Sequence, residues 1–467
     1  MTFEQENEQL LQDILENSFY AGFKDESKKR YESSCLEMNI TASCNQKCEY
    51  CYLTKYGASL YPAAIRKEDD ILKNMELLIN YFLENQMHPG YLDLFSGEIW
   101  GTPFGNRVFD KIMDGIRRGW GIRYIMIASN MSFLMDKKRF ENVERYIAAF
   151  KESGCRLVFS ASVDGLFLDE TQRSFREKKK NNDRTPDFYD KLFSWCKEKH
   201  YAFHPMVAAH GIEHWIENYK WWQHMFAKYH LNPFEYGMYL EVRNDEWTIE
   251  KIDHYLNFVN FMMDYDFREL CGGEMDNFVR ESIEHSISDK GYFPYVLLNT
   301  GNTYNCTVNT ALTVRMGDLA IGPCHRTHYE PFVYGKYRVK NGKIDGIDAN
   351  NVQLANLILN GAHDKTMMQC EKCPVSHICM RGCLGAQYES SGEILKPCPT
   401  VCQLQKARII FLYLKYTSMG VFDFIERSND IQKRNYIDYF KECALNLKEG
   451  EPNLWNYWEI KTNQKIY

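Results

Sequence analysis

The chain has 467 residues, 45% of them apolar and 15% aromatic, and a formal net charge of -7. That is enough apolar material for two or three cored domains, which excludes a disordered chain, and the acidic balance excludes nucleic-acid binding through massed phosphate contacts. The first residues, Met1-Thr2-Phe3-Glu4-Gln5-Glu6, place no basic segment ahead of an apolar one, and no run of about 18 apolar residues occurs, which predicts a cytoplasmic protein with no membrane partner. In a reducing cytosol the sixteen cysteines are metal ligands sooner than disulfides. Eleven fall into spaced groups, whereas Cys35, Cys155, Cys196, Cys271 and Cys443 stand alone and read as small core residues.

Leu10, Leu11, Ile14 and Leu15 recur at helical spacing, so residues 1–37 read as a helical extension that ends in the charged stretch Lys24 to Arg30. Short β-like runs then alternate with helical patterns: Leu36 to Ile40, Tyr91 to Phe95, Tyr124 to Ala128, Leu157 to Ala161, Tyr201 to Val207 and Tyr236 to Val242. Between them, Ile71, Leu72, Met75, Leu78, Ile79 and Phe82 share one helical face, as do Val108, Phe109, Ile112 and Ile116. Six βα units imply a parallel sheet, and the expected fold is α/β: a partial (β/α)6, TIM-like barrel over residues 38–247 with its chemistry in the loops after the strands. A helical bridge (248–300), a cysteine-rich domain (301–410) and a helical tail (411–467) follow.

Directly after the first strand stands Cys44-Asn45-Gln46-Lys47-Cys48-Glu49-Tyr50-Cys51. Three thiolates in eight residues can hold three corners of a cubane and leave the fourth iron open, a pattern that suits zinc poorly because structural zinc takes four protein ligands. The triplet resembles the signature of the radical S-adenosylmethionine (SAM) superfamily, Tyr50 being the aromatic residue before its last cysteine. Other positions match in order. Ser96-Gly97-Glu98, after the second strand, resembles that family's Gly-Gly-Glu motif, with Ser96 for the first glycine; the resemblance implies that Gly97 and Glu98 meet the cofactor's amino group. Ser129-Asn130, after the third, resembles Thr-Asn-Gly. Ser160-Ala161-Ser162-Val163-Asp164-Gly165, after the fourth, resembles a Ser-x-Asp-Gly turn, which assigns Ser162 to the ribose and Arg173 to the cofactor carboxylate. Taken singly, each of these reads equally well as an ordinary turn or a solvated side chain; their order after the triplet favours the resemblance.

The second cysteine group reads Cys370-x2-Cys373-x5-Cys379-x3-Cys383, then Cys398-x3-Cys402, with Cys306 and Cys324 upstream. A zinc ribbon is the alternative for such pairs. The spacing resembles the SPASM domain, an iron–sulfur module of sulfatase and peptide maturases. That resemblance implies one or two auxiliary [4Fe-4S] clusters: Cys370, Cys373, Cys379 and Cys398 would hold one, Cys306, Cys324 and Cys383 would serve the other, and Cys402 has no place in the scheme. Sulfatase maturases carry a proton-accepting aspartate after the cysteine matching Cys324; here His325 stands there and is the candidate catalytic residue.

The resemblance implies an enzyme whose [4Fe-4S] cluster binds SAM and cleaves it reductively to a 5′-deoxyadenosyl radical that abstracts a substrate hydrogen. It implies a peptide or protein substrate, modified by crosslinking, oxidation or epimerisation, and a reductant such as flavodoxin or ferredoxin. A dehydrogenase of a small molecule such as a sugar is the second reading, and a non-catalytic iron–sulfur electron carrier the third.

Overall fold

The strands of the first half are short apolar-rich runs, and the helices that start at Pro103, Lys137 and Pro186 each begin at a side-chain cap, on Thr102, Asp136 and Thr185. The computed structural model describes residues 2–25, 35–55, 67–176, 184–237, 239–242, 245–284, 311–360, 370, 372–376, 378–379, 383–394 and 396–466. Strands β1 (Cys35–Thr41), β2 (Tyr91–Ser96), β3 (Tyr124–Ser129) and β4 (Arg156–Ala161) match the expected runs to within one residue. Helix α1 (Phe3–Leu15) buries Leu11, Ile14 and Leu15 and leaves Leu10 exposed. Helices α2 (Glu68–Glu84), α3 (Pro103–Arg117), α4 (Lys137–Glu152) and α5 (Pro186–Lys199) follow, α2 burying all six of the residues read as its apolar face. Thr102 caps α3 by accepting from the Gly105 N–H at 3.2 Å, with Pro103 in its first turn, and Asp136 caps α4 by accepting from the Arg139 N–H at 3.0 Å.

The chain divides into two compact units. The first comprises Met1–Val163, Arg173–Tyr201 and Cys306–His363. Its eight-stranded sheet has the order β10-β9-β8-β7-β1-β2-β3-β4, where β7 is Ala311–Arg315, β8 Ala320–Gly322, β9 Gly335–Lys340 and β10 Lys343–Ala349. Strands β7, β1, β2, β3 and β4 run parallel, and β7 to β10 continue as an antiparallel meander. The stretch read as one cysteine-rich domain, 301–410, is therefore divided: strands β7–β10 continue the edge of β1, because a buried parallel strand needs a partner on each side.

The second unit comprises Asp164–Gln172, Ala202–Asn305 and Asp364–Tyr467. Here β5 (Met206–Val207) and β6 (Leu240–Glu241) form a separate two-stranded parallel pair, much shorter than the expected runs. The rest is helical: α6 (Trp215–Tyr229), α7 (Ile249–Tyr265), α8 (Leu384–Ser391), α9 (Pro399–Met419), α10 (Ile431–Gly450) and α11 (Pro452–Ile466), with Trp215, Trp222, Trp247, Trp455 and Trp458 fully buried. Of the solitary cysteines, Cys155, Cys196, Cys271 and Cys443 are buried and Cys35 is half-buried. The whole is the expected mixed α/β fold, a partial parallel barrel with a cysteine-rich helical region. Among the described residues no helix is long and apolar enough to cross a membrane.

Candidate functional site

The residues singled out in the first half of the sequence gather at the C-terminal ends of β1 to β4. The Cys44–Cys51 loop leaves β1 and folds tightly: the Cys51 N–H donates to the Cys48 carbonyl at 3.1 Å, and the Gln46 N–H reaches Cys44 Sγ at 3.4 Å. Cys48 and Tyr50 are buried, Cys44 and Cys51 half-buried. Burial pushes the Cys44 thiol up to about 12, opposed by the Gln46 N–H. Iron ligation removes such a proton outright.

Two other segments hold this loop. On one side the Gly97 N–H donates to Thr41 O and the Glu98 N–H to Ser43 O, both at 2.8 Å. A Cβ on Gly97 would stand 1.8 Å from Ser43 O, so only glycine allows this approach. On the other side Gln46 forms an antiparallel bridge with Phe175; the Lys47 N–H donates to Ser174 O and the Arg176 N–H to Asn45 O, each at 2.9 Å. That bridge lays the Arg173 guanidinium over the Tyr50 ring at 5.3 Å.

Glu98 is itself bound inward. Its carboxylate accepts from the Ser129 hydroxyl at 3.0 and 3.1 Å and from the Asn130 N–H at 2.7 Å. Burial pushes the carboxyl up to about 7, against the pull of those bonds and of Arg139 and Arg184. The folded chain therefore holds this proton more tightly than the unfolded chain, whose ordinary value is 4.5. The resulting stability is complete below about pH 4.5 and is lost as the pH rises through about 7, up to about 3 kcal/mol. Glu98→Gln is expected to remove that part of the slope: the drop in urea midpoint between pH 5 and pH 8 should be smaller than in the wild type.

The Ser162 N–H donates to Ser129 O at 2.8 Å, which aligns the end of β4 with that of β3. Asn45 and Asn130, not chosen as site residues from the sequence, tie the cysteine loop to β3: Asn130 Nδ2 donates to Asn45 Oδ1 at 2.7 Å and Asn45 Nδ2 to Ser132 Oγ at 3.0 Å. Arg184 then donates to the Asn130 carbonyl at 2.8 Å. Among the described residues Ser96 Oγ and Gln46 Nε2 are buried without a hydrogen-bond partner, and both belong to segments that frame the three cysteines. Two orphaned polar atoms, a cradle closed to any Cβ and a three-thiol donor set fit a cluster that carries a polar ligand on its open iron.

His325 lies against the barrel strands of the same unit. Its Nδ1 is 2.8 Å from Glu37 Oε1, its N–H donates to Glu37 Oε2 at 2.7 Å, and its ring stacks on Phe95 at 3.4 Å. Glu37 is fully buried, accepts from the Thr313 hydroxyl at 2.6 Å and shares a register row with Asp93, whose carboxyl burial and Glu37 push well up. Glu37 and Asp93 were passed over in the sequence, yet a signal was there. A strand buried on both faces should read as a continuous apolar run, whereas Leu36-Glu37-Met38-Asn39-Ile40 and Leu92-Asp93-Leu94 alternate. Polar residues at every second position mark a polar barrel interior.

In the second unit Cys370, Cys373, Cys379, Cys398 and Cys402 line one cavity with Val375, Ser376, Gln405 and Lys406. Burial, then the neighbouring Cys379, Cys370 and Cys373, pushes the Cys402 thiol up to about 12. Cys383 stands at the N-terminus of α8 and is half-buried. In the first unit Cys324 is buried, its Sγ 3.2 Å from Thr327 Oγ1. Cys306 lies outside the described residues. Among the described residues no three His, Cys, Asp or Glu side chains converge on a point that a single metal ion could occupy; the five thiols surround a space.

No protein-family model and no curated protein sequence matches the chain. Solved structures do. The chain is similar to native anSMEcpe with bound AdoMet at a TM-score of 0.53 and 14% identity, over 84% of this chain and 100% of that one. It is similar to native anSMEcpe with bound AdoMet and Cp18Cys peptide at 0.52 and 16%, over 84% and 98%. Streptococcus suis SuiB bound to S-adenosylmethionine is matched at 0.42 and 13%, over 79% and 75%. At these identities the likeness establishes the fold alone: the chain is folded as anSMEcpe is.

Proposed function

We propose that this protein is a radical SAM enzyme that modifies a peptide or protein side chain. One observation supports it above the others: the Cys44, Cys48 and Cys51 loop is clamped between Gly97 and the 174–176 segment at the ends of consecutive parallel strands. Cys44, Cys48 and Cys51 would hold a [4Fe-4S] cluster. Ser96, Gly97 and Glu98 would receive the amino group of SAM, Ser162 its ribose and Arg173 its carboxylate. When bound, the cluster and SAM together supply one-electron cleavage of the sulfonium and a radical able to take a hydrogen atom.

This chain's own residues then orient the substrate and accept its proton. His325, with Nδ1 held by Glu37, presents Nε2 as the acceptor. The anSMEcpe structure with a bound Cp18Cys peptide supports a peptide as substrate class. A crosslink or an oxidation would follow hydrogen removal from a side chain, and an epimerisation would follow its removal from Cα. One or two auxiliary clusters on the C-terminal cysteines would carry electrons away, a flavodoxin or ferredoxin would supply them, and the thiols require a reducing compartment such as the cytoplasm.

The test is anaerobic reconstitution with iron and sulfide, reduction, and addition of SAM. The wild type should form 5′-deoxyadenosine and methionine. Cys48→Ala should form none while keeping the iron bound elsewhere. Full cleavage by Cys48→Ala would refute the assignment. A peptide encoded beside this gene, incubated with the enzyme, should lose a pair of hydrogens or gain solvent deuterium.

A further inference from the structure

Gln46 stands between two cysteines of the N-terminal triplet and touches both. Its backbone N–H reaches Cys44 Sγ at 3.4 Å, and its side-chain oxygen Oε1 accepts from the Cys48 thiol at 3.9 Å. The antiparallel bridge to Phe175, with the Lys47 N–H on Ser174 O, fixes the backbone that carries this side chain. Only 2% of the residue is exposed.

A primary amide has two N–H donors beside its oxygen. Here the oxygen is engaged and the nitrogen is not: among the described residues Nε2 is buried and has no hydrogen-bond partner. A methionine would fill about the same volume without leaving a buried donor unpaired, so the amide points to an acceptor that arrives with the cofactor. Ligation supplies one at the sulfur already in contact. Cys48 bound to iron is a thiolate, which has lost its S–H and can only accept. The side-chain oxygen then faces negative charge, and a half turn about the Cγ–Cδ bond exchanges it for the nitrogen within the same outline. Hydrogen bonds to ligand sulfurs favour the more negative, reduced state of a cluster and so raise its potential.

We propose that Gln46 sets the reduction potential of the N-terminal cluster by donating its side-chain amide N–H to the Cys48 sulfur. The proposal deepens the reading that Cys44, Cys48 and Cys51 hold this cluster, and rests on it. Gln46 acts through Cys48 and is a positioning residue. Because its bond to Cys44 comes from the backbone, a side-chain substitution removes one contact and leaves the other.

The test is an anaerobic redox titration of the reconstituted full chain, followed by electron paramagnetic resonance at the signal that changes on adding SAM. Gln46→Met, which keeps the volume and lacks the donor, should hold the wild-type iron content and move the midpoint to a more negative potential. Gln46→Glu, which puts a carboxylate oxygen in place of the nitrogen, should move it further in the same direction, and decides alone where Gln46→Met takes up less iron. A midpoint unmoved in both variants at wild-type iron content would overturn the proposal, as would a shift to more positive potential. An unmoved midpoint with weaker SAM binding would overturn it by assigning the amide to the nucleotide. Loss of iron in both variants would make Gln46 a support of the loop, which equally overturns it. A wild type with no SAM-responsive signal is a distinct failure: the cluster reading itself then falls, and the proposal with it.

Discussion

Replacing Gly97 with alanine will leave the N-terminal loop unable to hold its cluster and will lower SAM cleavage by at least about 10²-fold, the cost expected of an ångström-scale displacement at a reacting centre. The added methyl carbon would lie 1.8 Å from the Ser43 carbonyl oxygen, 2.3 Å from its carbon and 2.9 Å from Cys44 Cβ. The first two are backbone atoms, so no side-chain rotation relieves the clash. Either the end of β2 withdraws, breaking the 2.8 Å bonds from the Gly97 and Glu98 N–H groups, or Cys44 is displaced from Cys48 and Cys51. Both routes separate the ligand loop from the strand end that should receive the cofactor. Iron per chain, 5′-deoxyadenosine formed and the SAM-dependent change in the cluster spectrum should fall together in Gly97→Ala. A variant with normal iron and normal cleavage would show that the approach of Gly97 to Ser43 is incidental.

The second large effect concerns stability in the other unit. Arg408 and Glu241 form an ion pair at 2.9 Å whose side chains are only 3% and 2% exposed. Gln405 accepts from Arg408 at 2.6 Å and donates to Glu241 at 3.0 Å, and the Tyr255 hydroxyl donates to Glu241 at 2.6 Å. Arg408→Met keeps the volume and removes the cation, leaving Glu241 charged and buried. A loss of about 3–5 kcal/mol is expected, read as a lower urea midpoint by tryptophan fluorescence. Adding Glu241→Gln should restore much of that loss, because the desolvated charge is then gone. Gln405 also lines the cysteine cavity, so the single variant should bind iron more weakly there than the double variant does.

Strands β1 to β4 were legible because each is a short apolar run followed by a turn and an amphipathic helix, and local periodicity is enough to place such a unit. The last two runs were over-read. Pro205 stands inside Tyr201 to Val207 and has no N–H for a ladder, so the pairing reduces to an isolated bridge between Phe203 and Gly237 and a two-residue strand after the proline. Strand β7 escaped notice for a different reason: five residues beginning at Ala311 carry no mark of the strand they join, some 270 positions upstream. Parallel pairing across such a separation is decided by which sheet edge is open. The cysteine triplet stands out by its spacing, whereas Gly97, Glu98, Ser162 and Arg173 came from the resemblance that the triplet opens. Asn45 could not, since its role lies in a bond to Asn130, 85 positions away, and the alternation around Glu37 marks a polar interior but gives no sign of its partner His325, 288 positions away.

The bridge between residues 45–47 and 174–176 bears on how metal enters the protein. A ligand loop that becomes ordered only on binding sets its lost conformational freedom against the affinity for metal. Here the loop is fastened from both sides by main-chain bonds that contain no metal, so its backbone is ordered by the strand ends themselves. Iron then meets a receptor already shaped, and the free energy of thiolate ligation goes undiminished into retention of the cluster.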